Sequence, residues 1–305
     1  MTDVTVNLDD ITIDLLDLPS FRENSLDVQV LRLDKIHPEI SGNKWFKLKY
    51  YLEECSKAQK KKLISFGGAY SNHLVALACA AHAHGFSSVG YIRGEEPGVL
   101  SPALFTAMKY GMELRFLSRD IYRDKEMPAF LSSLQSEFPD ALIIPEGGSG
   151  EPGIRGVEEI LSLRDTQAYT HICCAVGTGT TLAGLVNASL PHQQVTGISA
   201  LKGTRGLEPM AAFRMNSQEK LSRTRIIHDY HFGGYAKKTA ALLDFMNEIH
   251  AVSGIPTDFV YTGKLVYAIS DLARNNYFPT GSSLLIIHTG GLQGNLSLPA
   301  GQLHF

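Results

Sequence analysis

One glycine-rich loop directly follows an apolar run and precedes a helix-forming segment. Its residues are Gly177, Thr178, Gly179, Thr180 and Thr181. Glycines let backbone N–H groups converge on an anion, the helix N-terminus adds partial positive charge, and threonine hydroxyls can donate to phosphate oxygens. The loop lacks the lysine of a Walker A nucleotide site, and Leu182 replaces the third glycine of a dinucleotide fingerprint. The loop therefore predicts a small monophosphate site; a helix cap without a ligand is the alternative.

Lys44 is the candidate nucleophile. It follows Gly42-Asn43, lies in the first turn of a predicted helix and is flanked by Trp45 and Phe46. Apolar rings remove water from an ammonium group, which generally lowers its pKa and makes a neutral amine available to attack an aldehyde. A solvated surface lysine is the alternative interpretation.

Ser71 and Asn72 follow a predicted strand and the Gly67-Gly68 turn, at the start of a long helix. Both are good N-cap residues, which explains them structurally. Free N–H groups and two polar side chains at a helix start can also hold a substrate carboxylate. The histidines of this helix have no carboxylate or thiol at metal-ligand spacing, so we predict no metal site.

The elements that must position these residues alternate from Lys62 onward between short apolar runs and amphipathic segments of helix length. This alternation predicts an α/β fold with parallel sheets. The predicted strands are 63–66, 88–92, 113–117, 141–145, 171–176, 195–201, 225–230 and 283–290. Helices are predicted near 71–84, 100–110 and 121–138, with others between the later strands.

The length of 305 residues suits two domains around a cleft. The Gly/Pro-rich stretch 145–156 marks the main crossing, and we expect a larger domain of residues 1–57 plus 150–305 and a smaller α/β domain of residues 58–149. A net charge of -3 argues against nucleic acid and anionic membranes as partners. The start of the chain has no signal-like segment and no run reaches membrane-spanning length, so we expect a cytoplasmic protein with reduced, non-catalytic cysteines.

Four ordered segments resemble the pyridoxal-phosphate enzymes of the tryptophan-synthase-β fold, and within them the group of 1-aminocyclopropane-1-carboxylate deaminase and D-cysteine desulfhydrase. The segments are SGNKWFKL, GGAYSNH, GTGTTLAG and SGIPTDFVYTGKLVYAI. The resemblance implies pyridoxal-phosphate fold type II: two domains with open, twisted, mostly parallel sheets and helices on both faces. It also implies pyridoxal 5'-phosphate as cofactor, a small amino-acid substrate and a homodimer.

The resemblance implies a role for each matching cofactor residue. Lys44 would carry the cofactor as a Schiff base and move a proton at the substrate's Cα. The loop Gly177, Thr178, Gly179, Thr180 and Thr181 would bind the phosphate. Tyr261 would stack on the ring, while Thr289 and Gly290 would border its edge.

Three further residues would face the substrate or the ring. Ser71 and Asn72 would bind the substrate carboxylate, and Asn72 also the ring hydroxyl. Tyr235 would act as a proton donor.

Thr262 follows the stacking tyrosine, at a position where ring-opening deaminases of this group have glutamate. A carboxylate there keeps the pyridine nitrogen protonated, whereas a neutral threonine suits elimination of a good leaving group from Cβ. Within the resemblance, Thr262 therefore favours a lyase of the D-cysteine desulfhydrase type, which gives pyruvate, ammonia and sulfide. Departures at residues 257–260 and at Tyr70 leave the substrate open. The alternatives are 1-aminocyclopropane-1-carboxylate deamination and a non-catalytic pyridoxal-phosphate-binding protein.

Overall fold

A computed structural model describes residues 6–203 and 217–305 of the chain. The residues divide into two compact units. The smaller unit contains His37–Ile40 and Lys44–Gly156, and the larger contains Asn7–Ile36, Ser41–Asn43 and Val157–Phe305. The chain therefore passes from the larger unit to the smaller one between Asn43 and Lys44.

The larger unit is built on a six-stranded sheet. Its strands are β1 (Ile13–Leu15), β2 (Asp27–Arg32), β7 (His171–Val176), β8 (Gln194–Ser199), β9 (Thr224–Ile227) and β10 (Ser283–His288). Their order is β1-β2-β10-β7-β8-β9, and all neighbours are parallel except β1 and β2. The inner strands are nearly continuous apolar runs because strands of a covered parallel sheet are buried on both faces.

The smaller unit has a four-stranded parallel sheet of order β5-β4-β3-β6. Its strands are β3 (Lys62–Gly67), β4 (Ser87–Arg93), β5 (Met112–Leu117) and β6 (Ala141–Ile143). The predicted fold class, α/β with mostly parallel sheets, is confirmed.

The α-helices of the described residues are numbered here in chain order. They are α1 (Pro19–Glu23), α2 (Asn43–Lys57), α3 (Asn72–Ala83), α4 (Pro102–Lys109), α5 (Arg119–Arg123), α6 (Pro128–Glu137), α7 (Glu151–Glu158), α8 (Thr180–Ala188), α9 (Gln218–Ser222), α10 (Ala240–Ser253) and α11 (Thr262–Arg274).

The two units differ from the expected domains in where helix α2 belongs. It was expected in the larger domain, with residues 1–57, whereas the structure places it from Lys44 onward in the smaller unit. Its apolar residues Leu48, Leu52 and Cys55 belong to the same buried cluster as Leu63 and Leu74 of the smaller unit. The apolar face of α2 thus finds its partners in β3 and α3, and packing carries the helix into that unit.

Two other elements differ from the sequence-based expectation. The N-terminal strands β1 and β2 were not predicted, and β2 takes the place beside β10 in the larger sheet. The helix predicted over 121–138 is split into α5 and α6, because Pro128 cannot continue a helix and instead starts a new one at its first position.

Candidate active site

Two neighbouring parallel strands of the larger unit end beside predicted site residues. Strand β7 runs into Gly177, and β10 runs into Thr289 and Gly290. From β7 the chain adds β8 and then β9 on one side of the sheet, and β10 afterwards pairs with the other side of β7. The direction in which strands are added therefore reverses between β7 and β10. Ligands of open α/β sheets bind outside the carboxyl ends of strands at such a reversal. The predicted phosphate loop, which runs from Gly177 to Thr181, and the predicted ring-edge residues therefore lie at one sheet edge.

The phosphate loop opens helix α8 as an anion site requires. Gly179 is the N-cap in a left-handed conformation, with φ of +80° and no side chain to cap the first turn. The side chains of Thr180 and Thr181 are buried, and the Thr178 and Thr180 hydroxyl oxygens are 3.2 Å apart. Backbone N–H groups and hydroxyls thus gather where the helix dipole is positive.

Asn43 joins this loop to the end of β10. Its backbone N donates to the Thr289 carbonyl at 3.3 Å, and its side-chain Nδ2 donates to Thr181 Oγ1 at 2.8 Å. Gly42 has φ of +64°, and a Cβ there would lie 1.9 Å from the Thr289 oxygen, so only glycine fits. Asn43 was given no role from the sequence; its place directly before Lys44 was the signal that it belongs to the site.

Tyr261 and Tyr235, both predicted site residues, pack against each other. Their ring centroids are 6.1 Å apart with planes at 64°, an edge-to-face arrangement. A Cβ at Gly177 would lie 3.3 Å from the Tyr261 ring, so the ring is next to the phosphate loop. Tyr235 is 48% exposed and can meet a ligand from solvent.

Thr262 begins helix α11 and is fully engaged with Asp258. Its hydroxyl donates to Asp258 Oδ1 at 2.7 Å and accepts from the Asp258 backbone N at 2.7 Å. The Asp258 carboxylate also accepts from the backbone N of Val260, Tyr261 and Thr262. These bonds fix the orientation of the Thr262 hydroxyl, which is uncharged because threonine has no ionisable group in the physiological range.

In the smaller unit, Ser71 and Asn72 form the start of α3. Ser71 is the N-cap, and its Oγ accepts from the Leu74 backbone N at 3.3 Å. A Cβ at Gly67 would lie 2.5 Å from that Oγ, so the preceding turn needs glycine. Both the N-cap role and the polar helix start expected from the sequence are present.

His73 is a buried histidine that interacts electrostatically with Lys44 and Lys47. Burial, followed by Lys44 and Lys47, lowers the pKa of His73 to about 3. Ser65 Oγ donates to the Ile144 carbonyl at 2.8 Å and lies 2.8 Å from His73 Nε2, so Nε2 carries the ring proton. His73 Nδ1 then presents a buried lone pair that lacks a hydrogen-bond partner among residues 6–203 and 217–305. A neutral imidazole thus lies beside the candidate nucleophile.

One group of potential metal ligands occurs in the described part of the chain: His37, Glu39 and Cys79, with donor atoms within 4.8 Å of one another. His37 Nδ1 already accepts from the backbone N of Glu39 and Ile40, each at 3.0 Å. Burial raises the pKa of the Cys79 thiol to about 11, which disfavours the thiolate that a metal would bind. Hydrogen bonding accounts for this group, and we propose no metal there.

The residues of the larger unit fit pyridoxal phosphate. The buried hydroxyls and the uncapped start of α8 suit its phosphate, and Tyr261 next to Gly177 offers a ring face beside that phosphate. Together with the parallel α/β sheets, these features define a cofactor-dependent α/β enzyme.

The chain belongs to the family described as pyridoxal-phosphate dependent enzyme, whose model matches residues 12–290. The predicted cofactor and the enzymatic nature of the protein are thereby confirmed, and the alternative of a non-catalytic carrier is set aside. None of the helices in the described ranges is long and apolar enough to cross a membrane.

The chain is similar to several named relatives. It is 32% identical to the "Putative 1-aminocyclopropane-1-carboxylate deaminase" of Pyrococcus abyssi, over 90% of this chain and 87% of the relative. It is 27% identical to the mitochondrial "Bifunctional D-cysteine desulfhydrase/1-aminocyclopropane-1-carboxylate deaminase" of Arabidopsis thaliana, over 89% and 74% of the two chains. A crystal structure of an ACC deaminase homologue superimposes with a TM-score of 0.81 at 28% identity, covering 96% of this chain and 94% of that one.

Proposed function

We propose that the protein is a pyridoxal-phosphate-dependent lyase of the D-cysteine desulfhydrase type. The reaction converts D-cysteine and water to pyruvate, ammonia and hydrogen sulfide. The observation that carries this proposal is the uncharged Thr262 after Tyr261, whose hydroxyl donates a hydrogen bond to the Asp258 carboxylate. A carboxylate at this position would favour a protonated pyridine nitrogen, and Thr262 supplies none.

Each site residue has a proposed task. The phosphate is held by Gly177, Thr178, Gly179, Thr180 and Thr181. Lys44 binds the cofactor covalently, Tyr261 packs on its ring, and Thr289 and Gly290 border the ring edge. When bound, the cofactor withdraws electrons from the substrate's Cα.

The substrate side of the site involves three residues. Ser71 and Asn72 hold the substrate carboxylate, which the positive end of helix α3 attracts; Asn72 also faces the ring hydroxyl. Tyr235 donates a proton to the departing group, and Lys44 takes the Cα proton as a general base.

The relatives' names favour a second candidate, deamination of 1-aminocyclopropane-1-carboxylate with water to 2-oxobutanoate and ammonia. The two reactions give different products. The test supplies purified, cofactor-loaded protein with each amino acid separately, and with L-cysteine to define stereochemistry. Sulfide and pyruvate from D-cysteine support the proposal; 2-oxobutanoate from the cyclopropane amino acid, without sulfide from D-cysteine, supports the second candidate and overturns the first.

A variant pair tests the assigned nucleophile. Lys44→Ala should lose at least about a thousandfold in kcat, since a nucleophile and base are removed together. Lys57→Ala, at the exposed end of the same helix, serves as the matched control. Equal activity of both variants would contradict the assignment of Lys44.

We also propose a cytoplasmic homodimer that binds neither nucleic acid nor membranes. The family resemblance supports the dimer, and the net charge of -3 argues against polyanionic partners. Size-exclusion chromatography with light scattering tests the assembly; a monomeric mass at micromolar concentration would refute it.

A further inference from the structure

The segment between β9 and α10, residues 228–239, carries Tyr235 and contains two consecutive turns. Gly234 N donates to the His231 carbonyl at 2.9 Å, and Lys237 N donates to the Gly234 carbonyl at 3.1 Å. Phe232 and Ala236 both have φ of +52°, a left-handed conformation that side chains disfavour. Such a segment keeps its shape only when its surroundings hold it.

The side chain of Lys264 binds the two oxygens that close these turns. Its Nζ donates to the His231 carbonyl at 2.9 Å and to the Gly234 carbonyl at 2.8 Å. Lys264 is 1% exposed, so its polar head depends on these acceptors in place of water. Burial lowers the pKa of Lys264 to about 8, against the opposing effect of Asp258.

Lys264 is the first of three contacts along one face of α11. Tyr267 and Asp271 lie three and seven residues after Lys264, and residues at these spacings share one face of a helix. The Tyr267 ring packs edge-on against Phe232 at 4.9 Å, and the Asp271 carboxylate accepts from the Tyr230 hydroxyl at 2.8 Å. The segment before Tyr235 is therefore attached to α11 at three points, with Lys264 nearest to Tyr261.

We propose that Lys264 is a positioning residue of the active site. It holds the two turns of residues 231–237 in place, so that Tyr235 stays edge-on to Tyr261. Its ammonium acts through the His231 and Gly234 carbonyls, which accept its hydrogen bonds. The task of Tyr235 as proton donor rests on the proposed function, whereas the hold of Lys264 on the turns does not.

The first experiment measures amide hydrogen exchange on the full-length, cofactor-loaded protein. Lys264→Met keeps an unbranched apolar stem and removes the donors; Lys237→Met makes the same change at an exposed lysine of the segment itself. Exchange at Gly234 and Lys237 should accelerate about tenfold or more in Lys264→Met, because two charge-assisted hydrogen bonds are lost. In Lys264→Met, the amides of β10 should exchange at the parental rate. In the Lys237→Met control, the Gly234 amide should do so as well.

The second experiment follows kcat/KM for D-cysteine. Lys264→Met should lower it by about tenfold or more, and should lower it no further when Tyr235→Phe is already present, since both changes remove one function. Additive losses, or exchange in the two turns that stays at the parental rate, would overturn the proposal. Acceleration spread over the whole larger unit would do the same, because it would show general destabilisation.

The two proposals can fail separately. If the parent protein does not consume D-cysteine, the proposed substrate is wrong while the exchange experiment still decides the role of Lys264. If Lys264→Met does not fold, Lys264→Leu, which also removes the donors, carries the same exchange test with the same deciding outcomes.

Discussion

Helices α8 and α3 each begin after a strand and a glycine-containing turn, one in each unit, yet their first turns differ. Helix α3 is capped by its own Ser71, whose Oγ accepts from the Leu74 N. Helix α8 starts from Gly179, which has no side chain to do so. The start of α8 is thus suited to a permanently bound phosphate, whereas a carboxylate at α3 must share the helix end with a serine. The proposed cofactor site at α8 and the proposed substrate site at α3 thus differ in how each helix satisfies its first N–H groups.

The largest expected effect comes from Gly42, which precedes Asn43, the residue whose side chain binds Thr181 in the first turn of α8. Gly42→Ala should destabilise the protein by about 4 kcal/mol, because its Cβ would meet the Thr289 carbonyl and its φ is left-handed. Gly68→Ala in the turn before α3 is the matched control, since a Cβ there meets nothing within 4 Å. Urea denaturation of both variants checks this; equal midpoints would show that the close approach at Gly42 is unimportant.

The next effect is an acid-dependent loss of stability centred on His73 of α3. Its folded-state pKa of about 3 lies below the usual 6.5, so the folded protein binds fewer protons than the unfolded chain between these values. This stabilisation is fully present above pH 6.5 and is lost as the pH falls towards 3. Between pH 6 and 4 the parent should lose about 2.5 kcal/mol more than His73→Gln.

The control for this acid effect is His84→Gln, at the exposed end of the same helix. This variant shows what a histidine-to-glutamine change does to stability outside the buried core. Parallel curves for the parent and His73→Gln in urea titrations would contradict a buried, neutral His73.

A smaller effect is expected on cofactor affinity. Thr181→Val removes a hydroxyl from the start of α8 and breaks its hydrogen bond with the Asn43 amide, so the Kd for pyridoxal phosphate should rise about tenfold. Absorbance titration of the cofactor-free protein measures it, with Thr181→Ser as the conservative control. An unchanged Kd would place the phosphate elsewhere.

The smallest effect is expected at the α3 cap. Ser71→Ala should cost about 1 kcal/mol of stability, the usual loss for an N-cap serine. It should raise the KM for substrate while leaving the Kd for pyridoxal phosphate at the parental value, which steady-state kinetics and the same titration compare. A weakened cofactor Kd in Ser71→Ala would remove the distinction between the two helix starts.

Much of the fold was predictable because its strands are short apolar runs with clear boundaries. Strand β7 was predicted with the bounds that it has, 171–176. Strand β2 was missed although Val28 and Val30 alternate with Asp27 and Gln29, a pattern typical of a half-buried strand. Pairing with β10 makes it a strand, and that pairing joins segments far apart in the chain.

The sequence by itself determined the local chemistry of the protein: the glycines and hydroxyls after β7, the lysine after Gly42-Asn43, and the capping serine of α3. These follow from residue types within a few positions of one another. Only the tertiary structure decided that Asn43 binds Thr181, which lies 138 residues later in the chain. It likewise decided that Lys264 binds the carbonyl oxygens of two turns, 30 and 33 residues before it. Such contacts depend on which buried polar groups meet when distant segments pack, and no local pattern of residues encodes that choice.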